Sequence, residues 1–524
     1  MQNETMKQID SFFDPKSVAV VGASRKTFKA GAVIFRNFYI NRNRGLFKGE
    51  LYPVNPSEEE ILGLKSYPTL RDIPREVEAA VIVIPAAAVP QAMEDAAAKG
   101  VKAVTIISAG FGEIGNHELE RRVKEIALNA GIRVLGPNCL GVYDARTGVD
   151  MLFLPETKVL LSGEEVVATP RPMPGNISLI SQSGAFGAAA LDYMAGNEFG
   201  VDKFASFGNK MDISEPEMLE YFSHEKETKV ILLYAESIEK GREFLEVARR
   251  VSHEKPIVAL KSGRTASGAR AAVSHTGALA GSDKIYDAAF RQAGVIRAKS
   301  MESFFDMAKA LALQPPAAGR RVVVLTDGGG AGVMTVDECE SLGIEITNLP
   351  EDLVTKFEEM KRDGTLPSFA TNVNPVDLTG SVTSEMFEKS VRVLLDHPQV
   401  HGVILIGLHH APAVREDFVD RVYSVWKISR KPLVFCDIGE TEMARQLRRR
   451  FEKLGVPAYP SPERAAAGMA GLVEYGVFLC HEGRLEAYLE KRWPRPSGGG
   501  RGPSPLPGGG GRRRRVPRPS AGRS

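Results

Sequence analysis

Short, mostly apolar runs rich in valine, isoleucine and leucine recur along this chain, and nearly every one ends in a turn of glycine, alanine, serine or proline. The first group is Val18–Val21, Leu51–Val54, Ala80–Ile84, Val104–Ile107 and Arg133–Leu135. A second is Ile177–Ile180, Val230–Tyr234 and Ile257–Leu260, and a third is Val322–Leu325, Val403–Ile406 and Leu433–Phe435. Runs without a polar residue at every second position must be covered on both faces, which is the condition of strands in parallel sheets. Helical stretches such as Val89–Lys99, His117–Asn129, Ala188–Asn197 and Met334–Leu342 separate them. The class is therefore α/β.

With 524 residues the chain exceeds what one hydrophobic core serves, since single cores stop growing at about 250–300 residues. Breaks fall where proline and glycine concentrate, at Met151–Pro174 and Gln314–Gly319. The expected organisation is a Rossmann-like domain over 1–150, a linker over 151–175, a second domain over 176–313 and a third over 320–493. From Pro494 the chain is low in complexity, with glycine runs and Arg512–Arg515, and is expected to be a disordered basic tail. Setting aside its eight arginines changes the net charge from +2 to −6, so the body is mildly acidic and does not point to nucleic acid. No apolar run approaches the ~20 residues that cross a bilayer, and the N-terminus lacks a signal-peptide pattern. A cytoplasmic protein is expected. Cys139, Cys339, Cys436 and Cys480 have no metal-ligand spacing and read as reduced thiols, with no metal site among them.

The turns after the strands carry the chemistry. Val18–Val21 runs into Gly22-Ala23-Ser24-Arg25-Lys26, where backbone amides at a helix start can hold a phosphate. A nicotinamide enzyme needs Gly-x-Gly-x-x-Gly here and an acid after the second strand. Ser24 stands in place of the second glycine, and the second strand ends in Val54-Asn55-Pro56, so a different phosphate-bearing cofactor is expected. Ile84-Pro85-Ala86, Ser108-Ala109-Gly110 and Gly136-Pro137-Asn138-Cys139-Leu140-Gly141 follow the later strands and should converge on one crevice. Cys139 has no neighbouring base and reads as a packed thiol.

In the second block, Ser181-Gln182-Ser183-Gly184 opens a helix and forms an anion site of amides and hydroxyls, with ordinary capping by Ser183 as the alternative. His275 lies in Ser274-His275-Thr276-Gly277-Ala278, among residues too small to bury it, and imidazole is a competent nucleophile toward phosphoryl groups. Glu236 follows a strand in Tyr234-Ala235-Glu236-Ser237. In the third block, Asp327-Gly328-Gly329-Gly330 follows a strand and precedes a helix, and Asn374–Gly380 forms another small-residue loop.

Taken together, the Gly22 turn, Val54-Asn55-Pro56, Ile84-Pro85-Ala86, the Ser108 turn and Gly-Pro-Asn-Cys-Leu-Gly resemble the CoA-binding domain of the succinyl-CoA synthetase superfamily. Over residues 11 to about 475 the chain resembles the alpha subunit of ADP-forming acyl-CoA synthetases. That resemblance implies a Rossmann-like CoA-binding domain followed by two flavodoxin-like, parallel-sheet ligase domains. It implies coenzyme A held by Gly22, Ala23, Ser24, Asn55, Pro56, Pro85, Ser108, Ala109 and Asn138. Phosphate would be held by Ser181, Ser183, Gly184, Gly329 and Gly330. It also implies phosphorylation of His275 with Glu236 in support, as acyl-CoA, ADP and phosphate are converted to acid, CoA and ATP. No ATP-grasp module follows Trp493, so ADP/ATP and Mg2+ are expected on a separate ATP-grasp subunit in a hetero-oligomer. Ser57–Glu60 departs from the family, which often places a lysine there for the CoA phosphates. The alternative is a non-catalytic CoA-sensing regulator or scaffold built on the same domains.

Overall fold

The computed structural model describes residues 2–268, 270 and 282–494; the Ser274–Gly281 loop with His275 and the basic tail from Arg495 lie outside the described residues. The chain divides into two compact units, of which the first holds Met1–Arg320, Glu338–Glu345 and Ala466–Lys491.

Two sheets build the first unit. In one, β1 (Ser17–Val21), β2 (Glu50–Val54), β3 (Ala79–Ile82), β4 (Ala103–Ile106) and β5 (Arg133–Leu135) run parallel in the order β2-β1-β3-β4-β5. Helices α1 (Gln2–Phe13), α2 (Ala30–Asn43), α3 (Val89–Lys99) and α4 (His117–Ala130) accompany it. The second sheet contains β6 (Val142–Asp144), β7 (Pro174–Ser181), β8 (Val201–Ser206), β9 (Val230–Ala235), β10 (Ile257–Lys261) and β11 (Val295–Ala298). Its order is β11-β10-β9-β7-β8-β6, parallel except for β6, which pairs antiparallel with β8. Helices α5 (Gly184–Gly196), α6 (Glu215–His224), α7 (Gly241–Ser252), α8 (Asp283–Ala293) and α9 (Met301–Leu313) belong to this half. The last strand of the expected first block thus joins the second sheet, and one buried cluster runs from Ile9, Val18 and Phe35 through Cys139 and Val142 to Ile180, Phe207 and Ile231. The Pro- and Gly-rich stretch expected as linker carries an antiparallel hairpin, Thr157–Val159 with Glu165–Val167.

Strand β8 has the sequence Val-Asp-Lys-Phe-Ala-Ser and is buried throughout, against the apolar pattern. Its charges are matched: Lys203 pairs with Asp144 at 3.1 Å and Glu225 at 2.8 Å, and Asp202 accepts a hydrogen bond from Thr228 at 2.5 Å. A buried charge is tolerable only when partnered in this way.

The second unit has one parallel sheet, ordered β13-β12-β14-β15-β16, from β12 (Val322–Thr326), β13 (Val376–Asp377), β14 (Gly402–Ile406), β15 (Leu433–Cys436) and β16 (Ala458–Tyr459). Helix α10 (Gly329–Ser341) starts directly after β12. Its core gathers Leu325, Phe357, Phe387, Leu405, Phe418 and Phe435. Among the described residues no helix is long and apolar enough to cross a membrane.

Candidate active site

The carboxyl ends of both sheets of the first unit open into one cavity of about 1840 Å3. Gly22 and Ser24 after β1, Asn55 and Pro56 after β2, Pro85 after β3, Ser108 and Ala109 after β4, and Asn138 after β5 line it from one sheet. Ser183 and Gly184 after β7 and Glu236 after β9 line it from the other. Common small-ligand pockets measure about 300–1,000 Å3, so this one has room for an extended ligand.

The wall on the β1 side is backbone packed against backbone. Gly22 has φ +96°, and a Cβ there would stand 2.2 Å from the Val83 carbonyl oxygen; at Gly31 a Cβ would stand 2.0 Å from the Gly22 oxygen. Only glycine lets the turn, α2 and the β3 end approach this closely. Gly22→Ala is therefore expected to displace the turn, cost about 3 kcal/mol of stability and raise the Kd for CoA at least ~10-fold. Titration calorimetry on the folded variant checks this, and wild-type affinity would remove the turn from the site.

Two predicted ligands shape this wall by holding neighbouring loops. Asn55 Nδ2 donates to the Ala23 carbonyl at 2.7 Å while its Oδ1 accepts from Ser57 N at 2.8 Å. Ser108 Oγ donates to the Ile84 carbonyl at 2.5 Å and accepts from Ile84 N at 3.1 Å. Ser24 Oγ accepts from Lys26 N at 3.1 Å. Ala23 is different: it is fully buried in the core and does not line the cavity. The acidic run after Pro56 carries its own counter-ion, since Arg25 pairs with Glu58 at 3.0 Å and donates to the Glu60 carbonyl at 3.1 Å. Lys29, Arg121 and Lys124 supply cations to the cavity lining.

At the second sheet, Ser183 caps α5, its Oγ accepting from Phe186 N at 3.2 Å. Ser181 is fully buried and donates to the Ser183 carbonyl at 2.6 Å, so it braces the turn and is not in the lining. The amides of a first helical turn lack intrahelical acceptors, and α5 brings that electropositive end to the cavity at Gly184 and Ala185. Glu236 is buried at the same cavity, with 8% of its surface exposed. Tyr234, two residues before it, has its hydroxyl shifted upward mainly by burial and stacks on Phe186 with ring centroids 4.0 Å apart. Cys139 is buried with its thiol pushed up to about 12 by desolvation, and its Sγ contacts the Ile106 carbonyl at 3.3 Å. Such a thiol is inert at neutral pH.

Sequence reading missed Gly208-Asn209-Lys210. A Cβ on Gly208 would stand 2.1 Å from the Pro137 oxygen, and Asn209 Nδ2 donates to Glu113 at 2.7 Å and Glu120 at 3.0 Å. This loop of the second sheet locks onto the turns of the first. The signal was a Gly-Asn pair at a strand end, but its partners lie about a hundred residues away.

In the second unit Gly329 and Gly330 form the first turn of α10, and a Cβ on Gly329 would stand 2.8 Å from Asp377 Oδ2. Asp327, just before them, has its carboxyl pushed up to about 7 by burial and accepts from Leu408 N at 3.0 Å. Among the described residues no three His, Cys, Asp or Glu side chains are grouped to hold a metal ion.

Comparison with known proteins matches a CoA binding domain at residues 16–145, a succinyl-CoA ligase like flavodoxin domain at 174–311 and a Ligase-CoA domain at 322–473. The acetate–CoA ligase [ADP-forming] I subunit alpha of Pyrococcus furiosus is 40% identical over 89% of this chain and 97% of that protein. The acetate–CoA ligase [ADP-forming] of Methanocaldococcus jannaschii is 37% identical over 91% of this chain and 64% of its own length. A solved structure of the dinucleotide forming acetyl-coenzyme A synthetase 1 of Ca. Korarchaeum cryptofilum, in complex with phosphate and ADP, superposes with TM-score 0.78 at 36% identity, covering 92% of this chain and 98% of that one. A CoA-binding sheet joined to flavodoxin-like ligase sheets defines an acid–thiol ligase of the succinyl-CoA ligase type. Within that class the chain belongs to the family of ADP-forming acetate–CoA ligases, as an alpha-type chain.

Proposed function

We propose that this chain carries the CoA-binding and phosphohistidine half of an ADP-forming acyl-CoA synthetase, interconverting acyl-CoA, ADP and phosphate with free acid, CoA and ATP. The observation that carries this reading is the single cavity where the strand-end crevice of the CoA-binding sheet meets both the start of α5 and Glu236. A thioester seated in the first would present its carbonyl to a phosphate held by the second.

The steps balance without a redox partner. A phosphate oxygen attacks the thioester carbonyl, the C–S bond breaks, and CoA leaves as the thiol with a proton. The acyl phosphate stays in a cavity that keeps it from water. A His275 ring nitrogen then attacks phosphorus, an N–P bond forms, and the carboxylate leaves. Glu236 stabilises the charge that develops on the imidazole. The β-phosphate oxygen of ADP finally takes the phosphoryl group and regenerates His275. CoA contacts are assigned to the turns bearing Gly22, Ser24, Asn55, Pro56, Pro85, Ser108, Ala109 and Asn138. Phosphate is assigned to Ser183 and Gly184, and in the other unit to Gly329 and Gly330.

ADP, ATP and their Mg2+ belong, in this proposal, to a separate ATP-grasp chain in a cytoplasmic hetero-oligomer. The near-complete match to a protein named an alpha subunit supports that division, as does the partial match to the longer Methanocaldococcus ligase. We divide the chain functionally as 1–150 for CoA, 176–313 for phosphoryl transfer and 320–493 for the second ligase domain. A panel of acetyl-, branched-chain, aryl- and hydroxyacyl-CoAs, assayed with the partner subunit, tests the reading. At least one should release CoA only when phosphate is present, and over many turnovers only when ADP is present as well. Binding of CoA with no release from any of them would favour the regulator, and release without phosphate would indicate a thioesterase.

A further inference from the structure

We propose that Gln182 is a positioning residue for Glu236, fixing the turn that carries the carboxylate against the helix start assigned to phosphate; this rests on the role given to Glu236 above. Gln182 lies in the turn between β7 and α5, and its backbone N–H donates to the Tyr234 carbonyl at 3.1 Å, continuing the β7–β9 pairing. Its side chain does the further work. Oε1 accepts from two successive backbone amides, Glu236 N at 2.8 Å and Ser237 N at 3.0 Å, while Nε2 donates to Ser237 Oγ at 3.2 Å.

One oxygen gripping two consecutive amides sets the backbone on both sides of the Glu236 peptide. Ser237 is held by a second group as well: Lys210 Nζ donates to its carbonyl at 2.9 Å and its Oγ at 3.2 Å, and pairs with Glu215 at 3.0 Å. Gln182, Glu236 and Ser237 are all buried, at 8%, 8% and 4% exposure. In such surroundings an unmet amide is costly and a satisfied network is rigid. Asparagine is one methylene too short for the same grip.

A double-mutant cycle in the full chain with its partner subunit tests this, reading the rate of labelling by [32P]phosphate in the presence of acetyl-CoA. Gln182→Met keeps length and volume but loses all three hydrogen bonds; it should slow labelling about 30-fold with the acetyl-CoA KM within about twofold. Gln182→Glu keeps the acceptor, and the Ser237 hydroxyl can turn to donate to it. This variant should recover most of the rate, to within about threefold of wild type. In a Glu236→Gln background, Gln182→Met should cost less than about threefold, because both changes act through one group. Penalties that multiply, or a wild-type rate for Gln182→Met, overturn the positioning role. If the Met variant does not fold, a wild-type rate for Gln182→Asn, whose amide is too short for the grip, overturns it instead. A wild-type rate for Glu236→Gln alone would sink the underlying assignment of Glu236, and this inference with it.

Discussion

Glu236→Gln is expected to lower acyl-CoA- and phosphate-dependent turnover by about a thousandfold while leaving the Kd for CoA within about twofold. The substitution preserves size and hydrogen-bonding capacity, so the cavity wall stays in place. Lost is the negative charge that, in the proposed mechanism, supports a positive imidazole as the N–P bond forms. Removal of interactions made only in the transition state lowers kcat and kcat/KM together. Quench measurement of protein phosphorylation and ATP formation, beside calorimetric CoA titration, separates the two effects. The Gln182 clamp, formed through the Glu236 backbone amide, is unaffected by the change, so the variant isolates charge from position. A wild-type rate would return Glu236 to a structural role at the end of β9.

Much of this arrangement was legible in the sequence, for a physical reason. Strands covered on both faces must be apolar throughout, so β1, β4, β9, β12 and β14 announce themselves, and the small residues after them mark the carboxyl edges where ligands collect. Strand β8 was illegible because it buries Asp202 and Lys203, and their partners are scattered from Asp144 to Thr228. Two-residue strands such as Val376–Asp377 and Ala458–Tyr459 are too short to show any period.

The site divides in the same manner. Eleven of the residues expected to touch ligand or act line the cavity. Ala23 and Ser181 are instead fully buried, because consecutive residues of a tight turn face opposite ways and composition does not reveal which. Asn55 and Ser108 illustrate a second limit. Both are at the cavity, yet their side-chain hydrogen bonds hold neighbouring loops, a role set by atoms tens of residues away. Gln182 was read as part of an anion site, and its clamp on Glu236 and Ser237 became visible only once β7 and β9 were paired.

Position 275 carries the second large effect. Imidazole flanked by Ser274, Thr276 and Gly277 offers a nucleophile that needs no base of high strength, and the assigned chemistry passes every phosphoryl group through it. His275→Ala should therefore abolish both protein labelling and ATP formation, and leave CoA binding, assigned to the Gly22 and Asn138 turns, intact. Loss of CoA affinity in the same variant would mean that the loop serves binding and not transfer.

The most direct measurement is the fate of [32P]phosphate when the full chain and its partner subunit meet acyl-CoA without ADP. The account expects one stable label on the wild-type chain, lost in acid and retained in alkali, located at His275 by peptide mass spectrometry, discharged to ATP when ADP is added, and absent from His275→Ala. A label that persists in His275→Ala, or ATP formed at normal rates by that variant, would contradict it.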